Sequence, residues 1–278
     1  MNLRAPAKLN LCLYLGAARE DGLHEILSIF QPLSLADRLV VTEAERDEVL
    51  CPGVEGPELA SAALAGLRAR GWSRPPLRIE VEKRIPIAAG LGGGSADAAA
   101  VLRLAAGEVD GIAELAAELG ADVPSQLDPV PALVSAAGER VERLPPPPEF
   151  AVVLIPFEEG LATAEVYAEA ERLGAPRDRG EMERIGATLR EAAARGFGPL
   201  RCPELLVNDL EPAAISLRPR IADALDALRE AGAAATAVTG SGPTAFGIFE
   251  DLARADAAAS ALPARHAAAI VATPLEFG

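Results

Sequence analysis

The stretch Pro86-Ile87-Ala88-Ala89-Gly90-Leu91-Gly92-Gly93-Gly94-Ser95-Ala96 decides the fold, because it places four glycines between a predicted strand and a predicted helix. Before it, residues 77–82 alternate apolar and charged side chains, which predicts a strand. After it, residues 95–106 are apolar on almost every face, which predicts a buried helix. Glycines let a backbone approach a pyrophosphate closely, and a helix N-terminus adds partial positive charge. The stretch therefore predicts an anion cradle.

Two widespread phosphate-binding turns fit these glycines poorly. No Gly-Lys-Ser/Thr ending follows them, so the Walker pattern is absent. A dinucleotide-binding turn has glycine or alanine where Ser95 stands, and here the preceding strand ends in Ile85-Pro86 instead of entering the turn directly. A purely structural turn stays an alternative, although four clustered glycines carry a large cost in conformational entropy.

Composition excludes several classes of protein. The 278 residues suffice for two domains, and half of them are hydrophobic. No run of about 18 apolar residues predicts a membrane span, and the N-terminus lacks the apolar core of a secretory signal. Three scattered cysteines suit neither a disulfide framework nor a zinc site. A net charge of −15 disfavours nucleic-acid binding. We therefore expect a cytoplasmic protein without membrane or nucleic-acid partners.

The rare residues of this chain are informative. Lys8 and Lys83 are its only lysines, while arginine serves everywhere else as the cation. A compact ammonium fits between phosphate oxygens where a planar guanidinium does not. Residues 8–15 alternate strictly between leucines and other side chains, which predicts a half-buried strand with Lys8 and Asn10 on one face.

The order of elements favours an α+β architecture. Strands and helices are mixed without regular βαβ alternation, and no internal repeat is present. Helices dominate after residue 160, and Leu217, Ile221, Leu225 and Leu228 form one predicted apolar stripe. The proline run 145–148 is the best linker, so we predict domains at 1–147 and 148–278.

At this point the sequence resembles a known family. Residues 86–100 resemble the phosphate loop of the GHMP kinases, named for galactokinase, homoserine, mevalonate and phosphomevalonate kinases. The doubled glycines and the Asp-Ala-Ala ending are most similar to the family of 4-diphosphocytidyl-2-C-methyl-D-erythritol kinases. Further segments resemble that family in the same order along the chain: 5–10, 21–25, 120–124, 208–211 and 239–244.

The resemblance implies a fold and a reaction. It implies a two-domain GHMP-kinase-like fold, with an N-terminal ATP-binding domain and a C-terminal ferredoxin-like domain. It also implies phosphorylation of the 2-hydroxyl of 4-diphosphocytidyl-2-C-methyl-D-erythritol, with ATP and Mg²⁺ as cofactors, in non-mevalonate isoprenoid biosynthesis. A small-molecule substrate would be the main partner, and we expect a monomer or weak homodimer. The sequence does not identify the metal ligands.

The resemblance also implies roles for individual residues. Asp122 would accept the proton of the substrate hydroxyl, and Lys8 would stabilise the charge on the transferred phosphoryl group. The ATP-binding residues would be Pro86, Ile87, Ala88, Ala89, Gly90, Leu91, Gly92, Gly93, Gly94, Ser95 and Ala96. The substrate-binding residues would be Asn10, His24, Tyr167, Gly240 and Ser241, with His24 and Tyr167 at the cytosine ring.

Three positions depart from the family pattern. Leu23 stands where the family has a tyrosine, Glu58 where it has an asparagine near adenine, and Ala96 where it has a second serine. Ser95 is then the hydroxyl expected near phosphate or Mg²⁺. Two alternatives stay open: another GHMP kinase acting on homoserine or a mevalonate-type alcohol, and a non-catalytic nucleotide sensor. The presence of both Lys8 and Asp122 argues against the sensor.

Overall fold

Two β-sheets and the helices packed on them make up residues 1–54 and 58–275, which the computed structural model describes. The strands are β1 (Asn2–Ala18), β2 (His24–Glu43), β3 (Glu48–Leu50), β4 (Leu77–Glu82), β5 (Ala132–Ala136), β6 (Arg140–Arg143), β7 (Ala151–Ile155), β8 (Ala235–Val238), β9 (Ala245–Phe249) and β10 (Ile270–Ala272). The helices are α1 (Leu59–Ala69), α2 (Gly93–Arg103), α3 (Ile112–Leu119), α4 (Val123–Gln126), α5 (Thr163–Arg172), α6 (Arg179–Ala194), α7 (Glu211–Leu217), α8 (Arg220–Glu230) and α9 (Leu252–Ala261).

The first sheet is organised around the long strand β2. One edge of β2 pairs antiparallel with β1 along nearly its whole length. The other edge pairs with β5 in its first half and with β4 in its second half. Strands β3 and β6 extend the sheet beyond β4 and β5. Helices α1 and α2 pack on this sheet through alanine- and leucine-rich faces, so the start of α2 and the glycines before it lie next to β1.

The second sheet has the strand order β10-β7-β9-β8, and all its pairs are antiparallel. Helix α8 precedes β8 and helix α9 joins β9 to β10, which gives the β-α-β-β-α-β order of a ferredoxin-like unit. Helices α5, α6 and α7 are inserted between β7 and α8. The predicted α+β class is therefore confirmed, including the ferredoxin-like second unit.

Strand β1 is buried on both faces, so the prediction of a half-buried strand is wrong. Its leucines pack into two different hydrophobic clusters, with Leu9 and Leu11 in one and Leu13 and Leu15 in the other. The opposite face is also covered: Lys8 is 5% exposed. The Lys8 N–H meets the glycine-rich segment and the Asn10 N–H meets the loop after β8, while a register shift between Asn10 and Cys12 interrupts the alternation.

Several boundaries differ from the predicted ones for local reasons. Helix α7 ends at Leu217 and α8 begins at Arg220, so Leu217 leaves the predicted stripe and is 41% exposed, whereas Ile221, Leu225 and Leu228 are buried. Pro219 separates the two helices, because proline cannot continue the first one. Helix α7 begins at Glu211 with Pro212 in its first turn, and Asn208 lies before it.

Candidate active site

The two glycines flanking Leu91 occupy conformations that other residues rarely adopt. Gly90 has φ +75° and Gly92 has φ +70°. A Cβ on Gly92 would lie 2.8 Å from Cγ of Lys8, and a Cβ on Gly90 would lie 2.8 Å from the Thr239 carbonyl oxygen. The backbone of Lys8 donates to the Leu91 carbonyl oxygen at 3.0 Å. The glycines therefore allow this segment to pack directly against β1 and against the loop after β8.

The same segment presents backbone donors at the start of α2. Gly92 is the N-cap residue, and Gly93, Gly94 and Ser95 form the first turn. The N–H groups of a first helical turn have no partner within their helix, and the helix dipole adds positive character at this end. Ala96 already donates its N–H to the Gly92 carbonyl oxygen at 2.9 Å. This turn can therefore hold an anionic group such as a phosphate.

A cavity of about 350 Å³ lies along the outside of the glycine-rich segment. Every predicted ATP-binding residue except Ala96 lines it, because the Ala96 side chain is fully buried in the core beneath. Its lining residues are Cys51, Val54, Glu58, Leu59, Ala60, Val81, Lys83, Pro86, Ile87, Ala88, Ala89, Gly90, Leu91, Gly92, Gly93, Gly94, Ser95 and Asp97. One wall is apolar and the other carries the backbone donors, as a nucleotide requires.

A second cavity, of about 290 Å³, adjoins the first, since Gly90, Gly92 and Ser95 line both. Its lining residues are Lys8, Asn10, Leu13, Ile26, Phe30, Gly90, Gly92, Ser95, Ala121, Asp122, Ala137, Thr163, Tyr167, Gly240 and Ser241. It brings together six of the seven predicted catalytic and substrate-binding residues, and His24 lies outside it. The two cavities meet at the first turn of α2, where a phosphoryl group could pass from one to the other.

Lys8 and Asp122 face each other across the second cavity. The Lys8 ammonium lies 3.3 Å from Oδ2 of Asp122, and the Asp122 side chain keeps 30% of its surface exposed. Asp122 directly precedes α4, whose first turn contains Pro124, and its carbonyl oxygen accepts a hydrogen bond from the Ser125 hydroxyl at 2.8 Å. The helix start thus holds the backbone while the carboxylate stays free to meet a substrate.

A chain of hydrogen bonds fixes the position of Lys8. Its ammonium donates to Oδ1 of Asn10 at 2.6 Å. The Asn10 amide donates to the Ser28 hydroxyl at 2.8 Å, and Ser28 donates to the Cys12 carbonyl oxygen at 2.5 Å. Thr239 accepts from the Asn10 N–H at 3.0 Å. Sequence patterns did not indicate Ser28, which belongs to no recognisable spacing, and they gave Thr239 no role although it begins the matched segment 239–244.

His24 and Tyr167 form a pair at the rim of the second cavity. Their ring centroids lie 5.2 Å apart, and Nε2 of His24 lies 2.9 Å from a Glu171 carboxylate oxygen. Burial raises the pKa of Tyr167 to about 12, with Asp122 adding to the effect. Leu23, next to His24 in the chain, is 55% exposed. The pair could bind a planar ring.

The loop after β8 closes the second cavity from the other sheet. Gly240 and Ser241 line the cavity, and the Ser241 hydroxyl lies 3.2 Å from the Thr163 hydroxyl. The Asn208 amide donates to the carbonyl oxygens of Val238 and Gly240, at 2.7 and 2.8 Å. The segment at 208–211, which the sequence matched without assigning a role, therefore holds this loop in place.

A buried ionic cluster supports the strand that leads into the glycines. The Lys83 ammonium donates to Asp37 at 2.5 Å and to Asp97 at 2.8 Å. Asp37 also accepts from the backbone N–H groups of Arg84 and Ile85, at 2.6 and 2.8 Å. Burial raises the pKa of Asp97 to about 7, although the Lys83 charge opposes the rise. No sequence pattern indicated this cluster, because its three members come from separate elements.

The fold and the two cavities are those of a small-molecule kinase with a glycine-rich phosphate loop. Comparisons with known proteins agree with this class. Family models described as the GHMP kinase N-terminal domain and the GHMP kinase C-terminal domain match residues 58–135 and 178–268. A solved 4-(cytidine 5'-diphospho)-2C-methyl-D-erythritol kinase is 36% identical, with a TM-score of 0.80 over the whole of both chains. A homoserine kinase from Cytophaga hutchinsonii shares the fold, with a TM-score of 0.69 at 17% identity over 99% of this chain and 94% of that one.

A curated relative extends this agreement. A protein from Anaeromyxobacter dehalogenans named 4-diphosphocytidyl-2-C-methyl-D-erythritol kinase is 39% identical in an alignment that covers 94% of this chain and 84% of the relative. The chain belongs to the GHMP kinases and, within them, to the family of 4-diphosphocytidyl-2-C-methyl-D-erythritol kinases. It is therefore an ATP-dependent small-molecule kinase.

Proposed function

We propose that this enzyme transfers the γ-phosphoryl group of ATP to the 2-hydroxyl of 4-diphosphocytidyl-2-C-methyl-D-erythritol, in non-mevalonate isoprenoid biosynthesis. The observation that carries the proposal is the Lys8–Asp122 pair, 3.3 Å apart, on the wall of a cavity that adjoins the glycine-lined one. The names of the related proteins supply the acceptor. A homoserine- or mevalonate-type acceptor is disfavoured, because similarity to such kinases is limited to the fold.

Proton transfer is the role that we assign to Asp122. Its carboxylate takes the proton from the acceptor hydroxyl while the hydroxyl oxygen bonds to the γ-phosphorus and the bond to the ADP oxygen breaks. Lys8, oriented by Asn10, stabilises the negative charge on the transferred group. Most of the acceleration comes from positioning and electrostatics, and base catalysis contributes about 10²–10⁴-fold.

Mg²⁺ fits the donors that line the junction of the two cavities. The Ser95 hydroxyl borders both cavities and the Asp122 carboxylate borders the second. Among residues 1–54 and 58–275, no group of three acidic, histidine or cysteine side chains could form a complete metal cage. Mg²⁺ commonly takes one or two protein ligands and completes its shell with phosphate oxygens and water. We therefore assign the Ser95 hydroxyl as the candidate protein ligand; the ion would neutralise phosphate charge during transfer.

The acceptor would be recognised by residues at the rim of the second cavity and by the loop after β8. Tyr167 and His24 would stack on or bond to the cytosine ring, while Gly240 and Ser241 would border the diphosphate and Asn10 the methylerythritol end. The exposed Leu23 would cover one face of the base with an aliphatic side chain. Stacking on an aromatic ring is worth about 1–3 kcal/mol per base, so this substitution weakens cytidine selectivity.

We also propose the remaining features of the molecule. One domain would comprise residues 1–147 and the other residues 148–278, with the boundary within the proline run. The enzyme would work in the cytoplasm, as a monomer or weak homodimer, without nucleic-acid partners. None of the helices in the described ranges has the length and apolarity needed to cross a membrane.

A coupled assay of ADP release tests the acceptor. The panel contains 4-diphosphocytidyl-2-C-methyl-D-erythritol, the same alcohol without its cytidylyl group, homoserine and mevalonate. We expect turnover with the cytidylylated alcohol alone, and a phosphate on its 2-hydroxyl by ³¹P NMR. Turnover with homoserine or mevalonate but not with the cytidylylated alcohol would overturn the assignment. ATP binding without turnover on any alcohol would favour a nucleotide sensor.

A further inference from the structure

A further cavity, of about 310 Å³, lies on the ferredoxin-like second unit. It is formed by the loop after β7, the junction of α7 and α8, and the turn Ala264–His266 before β10. None of its described lining residues lines either cavity of the active site. The proposed phosphoryl transfer uses no residue of this cavity.

Three arginines from two parts of the chain line this cavity. Arg218 and Arg220 flank Pro219 where α8 begins, and Arg265 lies in the turn before β10. Guanidinium groups hold phosphate oxygens through paired N–H donors. The chain as a whole has a net charge of −15, so three cations around one concave surface reverse the sign of charge locally. Such a surface focuses its field on an anion.

Two of the three arginines have no partner of their own. The loop after β7 contributes the titratable groups Glu158 and Glu159, and it also engages Arg218. Arg218 donates to two carbonyl oxygens of this loop and lies 3.3 Å from the Glu159 carboxylate. Among the described residues, the side chains of Arg220 and Arg265 form neither a hydrogen bond nor an ion pair. Their guanidinium groups are therefore available to an anion.

His266 registers the positive charge of this cavity. The residue lines the cavity although it is only 6% exposed, and its Nε2 atom has no hydrogen-bond partner among the described residues. Burial lowers the pKa of His266, and the charges of Arg265 and Arg220 lower it further, while Asp223 on α8 opposes them. An anion bound to the two arginines would offset their charge and raise this pKa. This effect acts through the field and needs no contact with the buried ring nitrogen.

We propose that this cavity binds a small soluble molecule that carries a phosphate or diphosphate group. Arg220 and Arg265 hold its oxygens, and Arg218 adds positive charge while it fixes the loop that forms the opposite wall. The cavity has room for several water molecules, and a diphosphate can take their place. The inference goes beyond the proposed reaction, because it depends on neither the ATP site nor the acceptor.

Histidine NMR on the whole enzyme tests the inference, because His24 and His266 are the only histidines of the chain. The ring signal of His266, assigned with the variant His266→Gln, gives its pKa over a series of pH values, without ligand and with inorganic diphosphate. We expect diphosphate to raise this pKa by about 0.5 or more, which is the effect of one unit charge about 6 Å away in water. Sodium chloride at the same ionic strength is the control, and it should raise the pKa less.

Arginine variants locate the bound anion. Arg220→Gln combined with Arg265→Gln should weaken diphosphate binding, read from the His266 signal, by about tenfold or more. Arg195→Gln combined with Arg254→Gln removes two exposed charges elsewhere and should behave as the wild type does. Diphosphate that bound only at the glycine-rich segment would give the same response in the Arg220 and Arg265 variant as in the wild type.

Three results would overturn the inference. They are a His266 pKa that does not rise with diphosphate, an equal rise with sodium chloride, and a response that persists in the variant lacking Arg220 and Arg265. The measurement uses neither ATP nor an acceptor. A wrong assignment of the reaction would therefore leave its result intact.

Discussion

The two lysines of this chain lie on opposite sides of the glycine-rich segment and are held in opposite ways. Lys83 gives its ammonium to two buried carboxylates, at 2.5 and 2.8 Å. Lys8 gives its shortest hydrogen bond to the neutral amide oxygen of Asn10, and among residues 1–54 and 58–275 it meets one carboxylate, at 3.3 Å. The charge of Lys83 is therefore committed to the fold, while much of the charge of Lys8 remains for a phosphoryl group.

Replacing Lys8 should have the largest effect on turnover. Lys8→Ala removes a preorganised cation from the proposed transfer site, and loss of one such donor costs about 10²–10³-fold in kcat. Steady-state kinetics gives kcat, and calorimetry with an ATP analogue should show nearly unchanged nucleotide affinity. A loss of less than tenfold in kcat would contradict the role of Lys8 in stabilising the transferred phosphoryl group.

Replacing Lys83 should instead affect stability. Lys83→Met leaves two buried carboxylates without their cation, and breaking a buried pair in this way typically costs about 3–5 kcal/mol in the free energy of unfolding. Urea unfolding followed by circular dichroism measures the loss. The exposed Arg78→Met on β4 is the control, since surface pairs contribute about 0–1 kcal/mol. If Lys83→Met lowered kcat as much as Lys8→Ala without loss of stability, the two lysines would not differ as described.

Tyr167 tests a smaller contribution, to acceptor binding in the cavity that Lys8 lines. Tyr167→Leu removes the ring at the cavity rim, and base stacking is worth about 1–3 kcal/mol, which is about 5–150-fold in affinity. We expect the KM for the cytidylylated acceptor to rise by about tenfold while the KM for ATP is unchanged. Tyr167→Phe keeps the ring and is the control. Equal increases for both substrates would indicate a structural role instead.

Asp97 tests the Lys83 side through the pH dependence of the free energy of unfolding. Its pKa rises from 3.8 to about 7 on folding, because the side chain is buried. Between these values the folded state holds a proton that the unfolded state has released, so the free energy of unfolding should fall as pH rises from about 4 to 7. Asp97→Asn should flatten this part of the profile in urea titrations. An unchanged profile would mean that Lys83 fully compensates the burial of Asp97.

Local patterns predicted most elements of this fold, with limits that have physical causes. The strand at 77–82 was predicted at the bounds observed for β4, because apolar and charged side chains alternate strictly there. The strands β3, β5 and β6 were missed, and each is defined by its pairing with β4, β2 or β5. Strand β1 was recognised, but the burial of its second face depends on elements distant in the sequence, which alternation cannot reveal.

The residues of the site also fall into two groups, those that sequence motifs identify and those that only the fold reveals. Recognisable motifs led to Lys8, Asp122 and the glycines, and the structure brings these residues together around two adjoining cavities. Ser28 and Thr239 act through tertiary hydrogen bonds; Ser28 carries no local signal, and the matched segment 239–244 does not reveal what Thr239 contacts. Their positions follow from pairing between strands and loops, not from the identity of their neighbours in sequence.

The proton-transfer role of Asp122 is the central claim, and single-turnover kinetics of Asp122→Asn tests it most directly. Enzyme in excess over the cytidylylated alcohol is mixed with ATP, and the phosphorylated product is followed by rapid quench. We predict that the transfer rate falls by about 10²–10⁴-fold while the affinity for an ATP analogue is retained. A transfer rate close to that of the wild type would contradict the assignment of Asp122 as the base.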